Sequence, residues 1–227
     1  MNKTGEKEIR AFNTNDLKNG DQGLITGHAA VFESKTDIGG WWEESIARGA
    51  FDECDMTDVP FFKNHDVWGT PLARSRRNNG NSTMELKVDD VGLFISASLD
   101  IENNPDARSV YSSVKRGDMT GMSFMFSVKE DKWSDLDTDY PKRQILKIKK
   151  VFEVSAVNFP AYKATDVQAA SSDGSSGVVE ITKGILERVR KEHGIPGQAR
   201  NDGIGDGGGL DFSIEKEIAK SKAKYKN

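Results

Sequence analysis

Short apolar runs with the spacing of β-strands fill most of the chain up to about residue 170, and turn-forming residues separate them. In residues 83–88, for example, apolar and polar side chains alternate, which is typical of a strand with one buried face. The same reasoning predicts strands in residues 8–12, 23–32, 59–65, 93–99, 123–128 and 144–159. A chain built mostly from such segments must bury one face of each strand in a shared core.

Before residue 170, one segment has the full pattern of a helix. Asn104-Pro105 is a favourable helix start, Val110 and Val114 follow at helical spacing, and Gly117 can end the helix. A shorter helix is predicted in residues 43–48. The sequence therefore predicts a β-rich α+β fold, a closed or partly open, largely antiparallel β-barrel or rolled sheet flanked by a few helices.

The composition changes after Ala170. Residues 171–177 are rich in serine and glycine, which predicts a flexible linker. Residues 178–191 have the apolar spacing of an amphipathic helix, although Gly184 in the middle weakens that prediction. Seven glycines follow between residues 194 and 209. We therefore predict one domain over residues 1–170, and a flexible linker and C-terminal tail over residues 171–227.

The composition also excludes several classes of protein. A net charge of −4 leaves no general footprint for nucleic acid, and no apolar run is as long as a membrane span. The polar first ten residues lack a secretion signal, so a cytoplasmic location is expected. One cysteine allows no internal disulfide, and the acidic neighbours of Cys54 disfavour a thiolate. Three histidines without metal-ligand spacing predict no metal, and no cofactor is expected.

Three polar residues on separate predicted strands stand out. His65 follows an apolar strand, Ser123 enters one behind Gly121, and Glu153 lies inside one. A serine nucleophile, a general base and an orienting acid are the minimum set for acyl-transfer catalysis. Taken alone, each has a more ordinary interpretation: a strand-end histidine, a structural serine, and a glutamate paired with lysine or arginine.

The environment of Ser123 adds one further expectation. Gly121 permits a close backbone approach, so the backbone N–H groups of Met122 and Ser123 are candidate oxyanion-hole donors. The segment is not a Gly-x-Ser-x-Gly elbow, because residue 125 is methionine. In the strand around Glu153, period-two alternation places Glu153 and Ser155 on one face and Phe152 on the other.

Several motifs in residues 23–164 resemble, in order and spacing, the HK97-type prohead proteases of tailed bacteriophages, the capsid maturation proteases. The matching motifs are Gly27-His28-Ala29-Ala30-Val31-Phe32, Arg48-Gly49-Ala50-Phe51, Asn64-His65-Asp66, Gly121-Met122-Ser123-Phe124 and the segment from Glu153-Val154-Ser155 to Phe159-Pro160-Ala161-Tyr162. Two positions depart from the family pattern: Pro71-Leu72-Ala73 and Met125 stand where the family often has glycine.

The resemblance implies a fold and a set of roles. The family is similar to the herpesvirus assemblins, whose fold is a β-barrel ringed by helices. His65 is then the general base, Ser123 the nucleophile and Glu153 the third member, in preference to His28. The implied substrates are the scaffolding segment of the major capsid protein and the protease itself, cleaved inside the assembling prohead in the host cytoplasm. A homodimer is expected by analogy with the assemblins.

Two other functions remain open from the sequence, and so does the role of the tail. A non-catalytic scaffold or capsid-interaction protein could use the same fold, although the joint presence of the three polar residues argues against it. An esterase-like hydrolase ranks last, since the elbow sequence and the strand–helix alternation are missing. The tail beyond about Ala170 is either removed by self-cleavage, used as a tether inside the shell, or a passive remnant.

Overall fold

The structure is a computed structural model that describes residues 7–12, 16–77, 80–158 and 177–195, with the side chains of 177–183 left out. Its strands are β1 (Glu8–Phe12), β2 (Lys18–Asn19), β3 (Leu24–Val31), β4 (Thr36–Ile38), β5 (Trp42–Ile46), β6 (Asp58–Lys63), β7 (Ala73–Arg76), β8 (Met84–Val88), β9 (Gly92–Ser98), β10 (Gly121–Ser134) and β11 (Lys142–Val157). Its helices are α1 (Pro105–Arg116) and α2 (Gly177–Glu192). Neither helix is long and apolar enough, over the described residues, to cross a membrane.

The described strands form two sheets. The larger has seven strands in the order β1-β10-β11-β5-β4, with β6 paired to β11 and β7 paired to β6; the smaller has the order β2-β3-β9-β8. The strand pairs are antiparallel, except that β11 runs parallel to β5 and to β6. The β-rich α+β prediction is therefore confirmed. Pairing among these strands does not close a barrel, and the closed or partly open barrel stays a prediction.

The larger of two apolar clusters is built from buried residues of both sheets. Phe124 and Phe126 stack in it with ring centroids 4.3 Å apart, and buried residues of β3, β6, β9 and β11 surround them. Helix α1 closes part of this core with Ala107, Val110 and Val114. Its predicted ends are confirmed: the Asn104 side chain accepts hydrogen bonds from two backbone N–H groups, and Gly117 adopts a φ of 78°.

The predicted helix in residues 43–48 is wrong. Strand β5 occupies this segment, with Trp42, Glu44 and Ile46 buried on one face and the residues between them half-buried. Local helix propensity was overridden because β5 is paired on both sides, antiparallel to β4 and parallel to β11. The short strands β2, β4 and β7 were also not predicted, and β10 continues to Ser134 rather than ending at residue 128.

A buried ion network attaches β1 to the larger sheet. Glu44 accepts hydrogen bonds from Arg10 at 2.5 and 2.8 Å and from Arg143 at 3.0 Å. Glu8 joins the same network, with 2.7 Å contacts to both arginines. Burial disfavours the charged form of Glu8, but Arg143 and Arg10 outweigh it and lower the pKa of Glu8 to about 2. The N-terminal strand is therefore held by charge as well as by its backbone ladder.

Helix α2 confirms the helix predicted for residues 178–191, and its described side chains, from residue 184 onward, are buried on one face. Leu186 and Val189 are buried against a second apolar cluster that contains Ile38, Trp42 and Leu136. Arg190 donates hydrogen bonds to the backbone carbonyls of residues 136 and 138, in the connection between β10 and β11. The linker was predicted over residues 171–177, but Gly177 is the first residue of α2. Residues 171–176 and the tail beyond residue 195 lie outside the described residues, and the domain boundary at residue 170 stays a prediction.

Candidate active site

The backbone at His65 is held in an unusual conformation. Strand β6 ends at Lys63, and the next two residues, Asn64 and His65, have φ angles of 49° and 59°. A left-handed backbone conformation costs free energy for residues other than glycine, and it persists where surrounding contacts hold it in place. Those contacts come from the β11 end: the Asn64 N–H donates to the Ala156 carbonyl at 2.9 Å, and the Asn64 side chain accepts the Asn158 N–H at 3.0 Å.

This loop brings His65 into contact with Glu153. The distance from His65 Nδ1 to Glu153 Oε1 is 2.6 Å, and Glu153 is 1% exposed. The hydroxyl of Ser155 donates to the other carboxylate oxygen at 2.6 Å and accepts the His65 backbone N–H at 3.2 Å. A carboxylate can only accept, so we assign the proton of the first contact to Nδ1. The arrangement orients the imidazole and leaves Nε2 available to another partner.

Ser123 lies on the adjacent strand. In the register of β10 and β11, Ser123 is opposite Ser155 and Met125 is opposite Glu153, so these four residues share one face of the sheet. Ser123 is fully buried, and its hydroxyl donates to the Arg10 carbonyl of β1 at 2.9 Å. Among the described residues, no hydrogen bond joins Ser123 to His65. The structure thus brings two of the three expected residues into contact and places the third two positions along the neighbouring strand.

The candidate oxyanion-hole donors lie in the same stretch of β10. Met122 is fully buried and is paired with Phe12 of β1 on one side and with Ala156 of β11 on the other. Ser123 is likewise flanked by both strands. Because β10 is paired along both edges here, the backbone N–H groups of these two residues point toward neighbouring strands. Their role as oxyanion donors stays a prediction.

A cleft of about 970 Å³ opens beside the histidine. His65 and Glu153 line it, together with apolar side chains from β1, β6, β10 and β11 and with the loop that follows β6. Trp68 of that loop is 95% exposed. Pockets that bind substrates are typically apolar with a few convergent polar groups, which is the composition of this cleft.

The predicted orientation of Phe152 is wrong. Period-two alternation placed it on the face opposite Glu153, but both residues line the cleft. The cause is a β-bulge: Met125 pairs with Glu153 and Phe126 pairs with Val151, so Phe152 has no partner across the ladder. Bulges redirect side chains and are common next to active sites. This one adds an aromatic side chain to the cleft.

The other nucleophile and base candidates lie elsewhere. His28 is in the smaller sheet, between Asp16 and Asp89, whose carboxylates contact its two ring nitrogens. Burial raises the pKa of the Cys54 thiol to about 12, so this thiol is a poor nucleophile near neutral pH. The sequence had attributed the same inertness to acidic neighbours; burial is the larger cause.

Ser155 and Asn64 are two residues of the site whose contacts were not anticipated. Alternation had put Ser155 on the face of Glu153, and that signal was sufficient to suggest a contact between them. For Asn64 the available signal was its residue type, because asparagine tolerates a left-handed backbone conformation. Asn64 ties the His65 loop to the end of β11, and Ser155 of β11 bonds both the His65 N–H and Glu153; neither side chain lines the cleft.

A histidine held by a buried carboxylate at the wall of a cleft is an arrangement that hydrolases with a general base use. Residues 10–177, about three quarters of the chain, match the family model of the caudovirus prohead serine proteases. The chain therefore belongs to this family, which is a family of serine proteases of phage prohead maturation. No curated protein and no solved structure matches the chain.

Proposed function

We propose that this protein is a serine endopeptidase with a Ser123–His65–Glu153 triad. Its substrates are the scaffolding segment of the major capsid protein and the protease itself, cleaved inside the assembling prohead in the host cytoplasm. The observation that carries the proposal is the 2.6 Å contact between His65 and the buried Glu153, in a chain of a prohead serine protease family. Ser123 supports it by its position on the same sheet face as Glu153.

The proposed chemistry proceeds through an acyl-enzyme. Ser123 Oγ attacks the scissile carbonyl carbon while its proton passes to His65 Nε2. Glu153 accepts the Nδ1–H and stabilises the imidazolium, which then gives its proton to the leaving amine. A water, deprotonated by His65, hydrolyses the ester. Backbone N–H groups at Met122 and Ser123 are the proposed oxyanion donors, each worth about 3–4 kcal/mol in the transition state.

The state seen in the structure is a resting state in this proposal. The Ser123 hydroxyl is buried and donates to the Arg10 carbonyl. Attack requires this hydroxyl to leave the carbonyl and turn toward His65 Nε2, together with an opening that admits the scissile bond. Because β1 carries the Arg10 carbonyl, this change must take place where β1 contacts Ser123 of β10.

The test is co-expression with the major capsid protein of the same phage. Intact masses are compared for the unmutated chain, Ser123→Ala and Ser127→Ala, a buried serine of the same strand without a contact to the triad. We expect a shortened capsid protein with the unmutated chain and with Ser127→Ala, and full-length protein with Ser123→Ala. Cleavage by Ser123→Ala refutes the nucleophile assignment.

The same masses decide between this proposal and a non-catalytic scaffold protein on the same fold. The burial of Ser123 and its bond to Arg10 are the observations that favour the alternative. Full-length capsid protein in every case, with the chain incorporated into assembled shells, would support it. The mass of the chain itself reports self-cleavage: loss of the tail with the unmutated chain, but not with Ser123→Ala, supports processing beyond about Ala170.

A further inference from the structure

We infer that the cleft selects an extended peptide with a bulky apolar residue two positions from the scissile residue and an acidic residue four positions from it. The inference rests on the proposed function, because it takes Ser123 as the point of attack. It names the substrate chemistry of the same site. Four observations carry it: the order of side chains along β1, the apolar floor of the cleft, its exposed apolar rim, and the position of one lysine.

The order of side chains comes from the register of β1 against β10. Ala11 is opposite Ser123 and Ile9 is opposite Met125, while Lys7 directly precedes β1. Side chains alternate along a strand, so residues 11, 9 and 7 face the same side and are about 7 Å apart in turn. A peptide extended alongside has the same rise per residue. Every second side chain of the peptide therefore faces the cleft, at the near level of residue 11, the middle level of residue 9 and the far level of residue 7 in turn.

At the middle level the cleft is apolar. Ile9, Phe62 and Met125 come from three strands, and the bulge adds Phe152 from a fourth. Met125 is directly opposite Glu153, so this floor begins beside the catalytic carboxylate. Methionine is unbranched and adapts to the shape of its neighbours, which suits a floor that receives apolar side chains of several shapes.

The rim of the cleft has an apolar surface of its own. In the described part of the chain, four large apolar side chains are exposed, and two of them, Val67 and Trp68, are adjacent in the loop after His65. Exposed apolar side chains grouped beside a cleft are typical of a surface that a ligand covers. Tryptophan in particular contributes strongly when a partner buries it. An apolar residue bound over Met125 lies within reach of this loop.

The far level of the cleft carries a positive charge. Lys7 Nζ is 4.7 Å from the centre of the Phe152 ring, and no carboxylate among the described residues forms a salt bridge with it. The cleft is also lined by Arg74, whose guanidinium is bound by Asp58 at 2.6 Å. Asp66 lies by the His65 loop, where it accepts the Gly69 N–H. Of the lysine and arginine side chains that line the cleft among the described residues, Lys7 is the one without a carboxylate partner, so we place the acidic substrate side chain at its end.

The first experiment digests a peptide library of cellular proteins and maps the cleaved bonds by mass spectrometry. We compare the unmutated chain with Lys7→Glu, Met125→Ala and Lys87→Glu; the last makes the same charge change on the exposed face of β8 in the smaller sheet. We expect apolar and acidic residues two and four positions from the scissile residue, on one side of the bond. Lys7→Glu is expected to reverse the charge preference, and Met125→Ala to shift the apolar preference toward aromatic residues.

A second measurement keeps the inference separate from the chemistry. Binding to the Ser123→Ala chain is measured at low ionic strength for two peptides that differ only in glutamate or lysine at the outer position. We expect the glutamate peptide to bind about three- to fivefold tighter, and this difference to be lost in Lys7→Glu. Cleavage absent from the unmutated chain refutes the proposed function. Equal binding of both peptides, or identical cleavage profiles for Lys7→Glu and Lys87→Glu, refutes the selectivity.

Discussion

Replacement of Ser155 by alanine tests whether the hydrogen bonds behind the histidine matter for catalysis. The Ser155 hydroxyl makes two contacts, a 2.6 Å bond to Glu153 Oε2 and a 3.2 Å bond from the His65 N–H. Its removal takes a donor from a buried carboxylate and loosens the left-handed backbone of His65. The side chain itself does not face the cleft, so substrate contacts are preserved.

The size of the effect follows from the nature of the bonds. A hydrogen bond to a charged group contributes about 1.5–3 kcal/mol. If that contribution is realised only when the imidazole becomes positive in the transition state, then kcat falls roughly ten- to hundredfold, at about 1.4 kcal/mol per tenfold. KM should change little. A role confined to packing would instead lower stability and leave kcat of the folded enzyme intact.

The assay compares kcat and KM for Ser155→Ala, Ser155→Thr and Ser127→Ala on a capsid-derived peptide, together with the thermal unfolding of each. Ser155→Thr keeps the hydroxyl and should restore most of kcat, and Ser127→Ala removes a buried hydroxyl that makes neither contact. If Ser155→Ala turns over at the unmutated rate, or if Ser127→Ala loses as much, then the hydroxyl does not position the triad.

Two further predictions concern stability. Glu44→Gln removes one of the two carboxylates that Arg10 and Arg143 share, and Glu8 remains as the other, so the free energy of unfolding in urea should fall by about 1.5–3 kcal/mol; a loss no larger than that of the more exposed Glu43→Gln would contradict this. Burial disfavours the charged form of His28, but hydrogen bonds to Asp16 and Asp89 outweigh it and raise the pKa of His28. The contribution of His28 to the free energy of unfolding is therefore complete below the unfolded-state pKa of about 6.5 and is lost as pH rises through the higher folded value. In urea unfolding, His28→Gln should abolish this loss of stability with rising pH. An unchanged pH profile in that variant would refute the role of His28.

The sequence predicted the segments whose local signals agree with their long-range contacts. Helix α1 has a cap, a proline start, helical spacing and a terminal glycine, and its bounds were predicted nearly to the residue. Residues 43–48 had local signals for helix, but β11, almost a hundred residues later, pairs with them as a strand. Strand propensity depends on such partners, and a single sequence does not show which segments become neighbours.

The candidate site was predicted in its residue types and less well in its contacts. From the residues alone, a buried glutamate in an apolar strand needs a partner, and lysine or arginine was the more ordinary candidate. The pairing of Glu153 with His65 was implied by the family resemblance. The bonds from Asn64 and Ser155 depend on the parallel register of β6 and β11, in which Phe62 is opposite Ser155. That register joins segments about ninety residues apart and has no local signature.

Phe152 shows how one irregularity in pairing decides the chemistry of the cleft. Under strict alternation Phe152 would lie on the core face with Val154, and the cleft would lack the aromatic ring near Lys7. The bulge is one extra residue in β11: this strand passes from Val151 to Glu153 through Phe152, while β10 passes directly from Met125 to Phe126. The sequence of neither strand reveals it. The same step leaves Glu153 on the face of Met125 and Ser123. The proposed selectivity and the proposed triad therefore depend on the same β10–β11 register, and a change that removes the bulge should disturb both together.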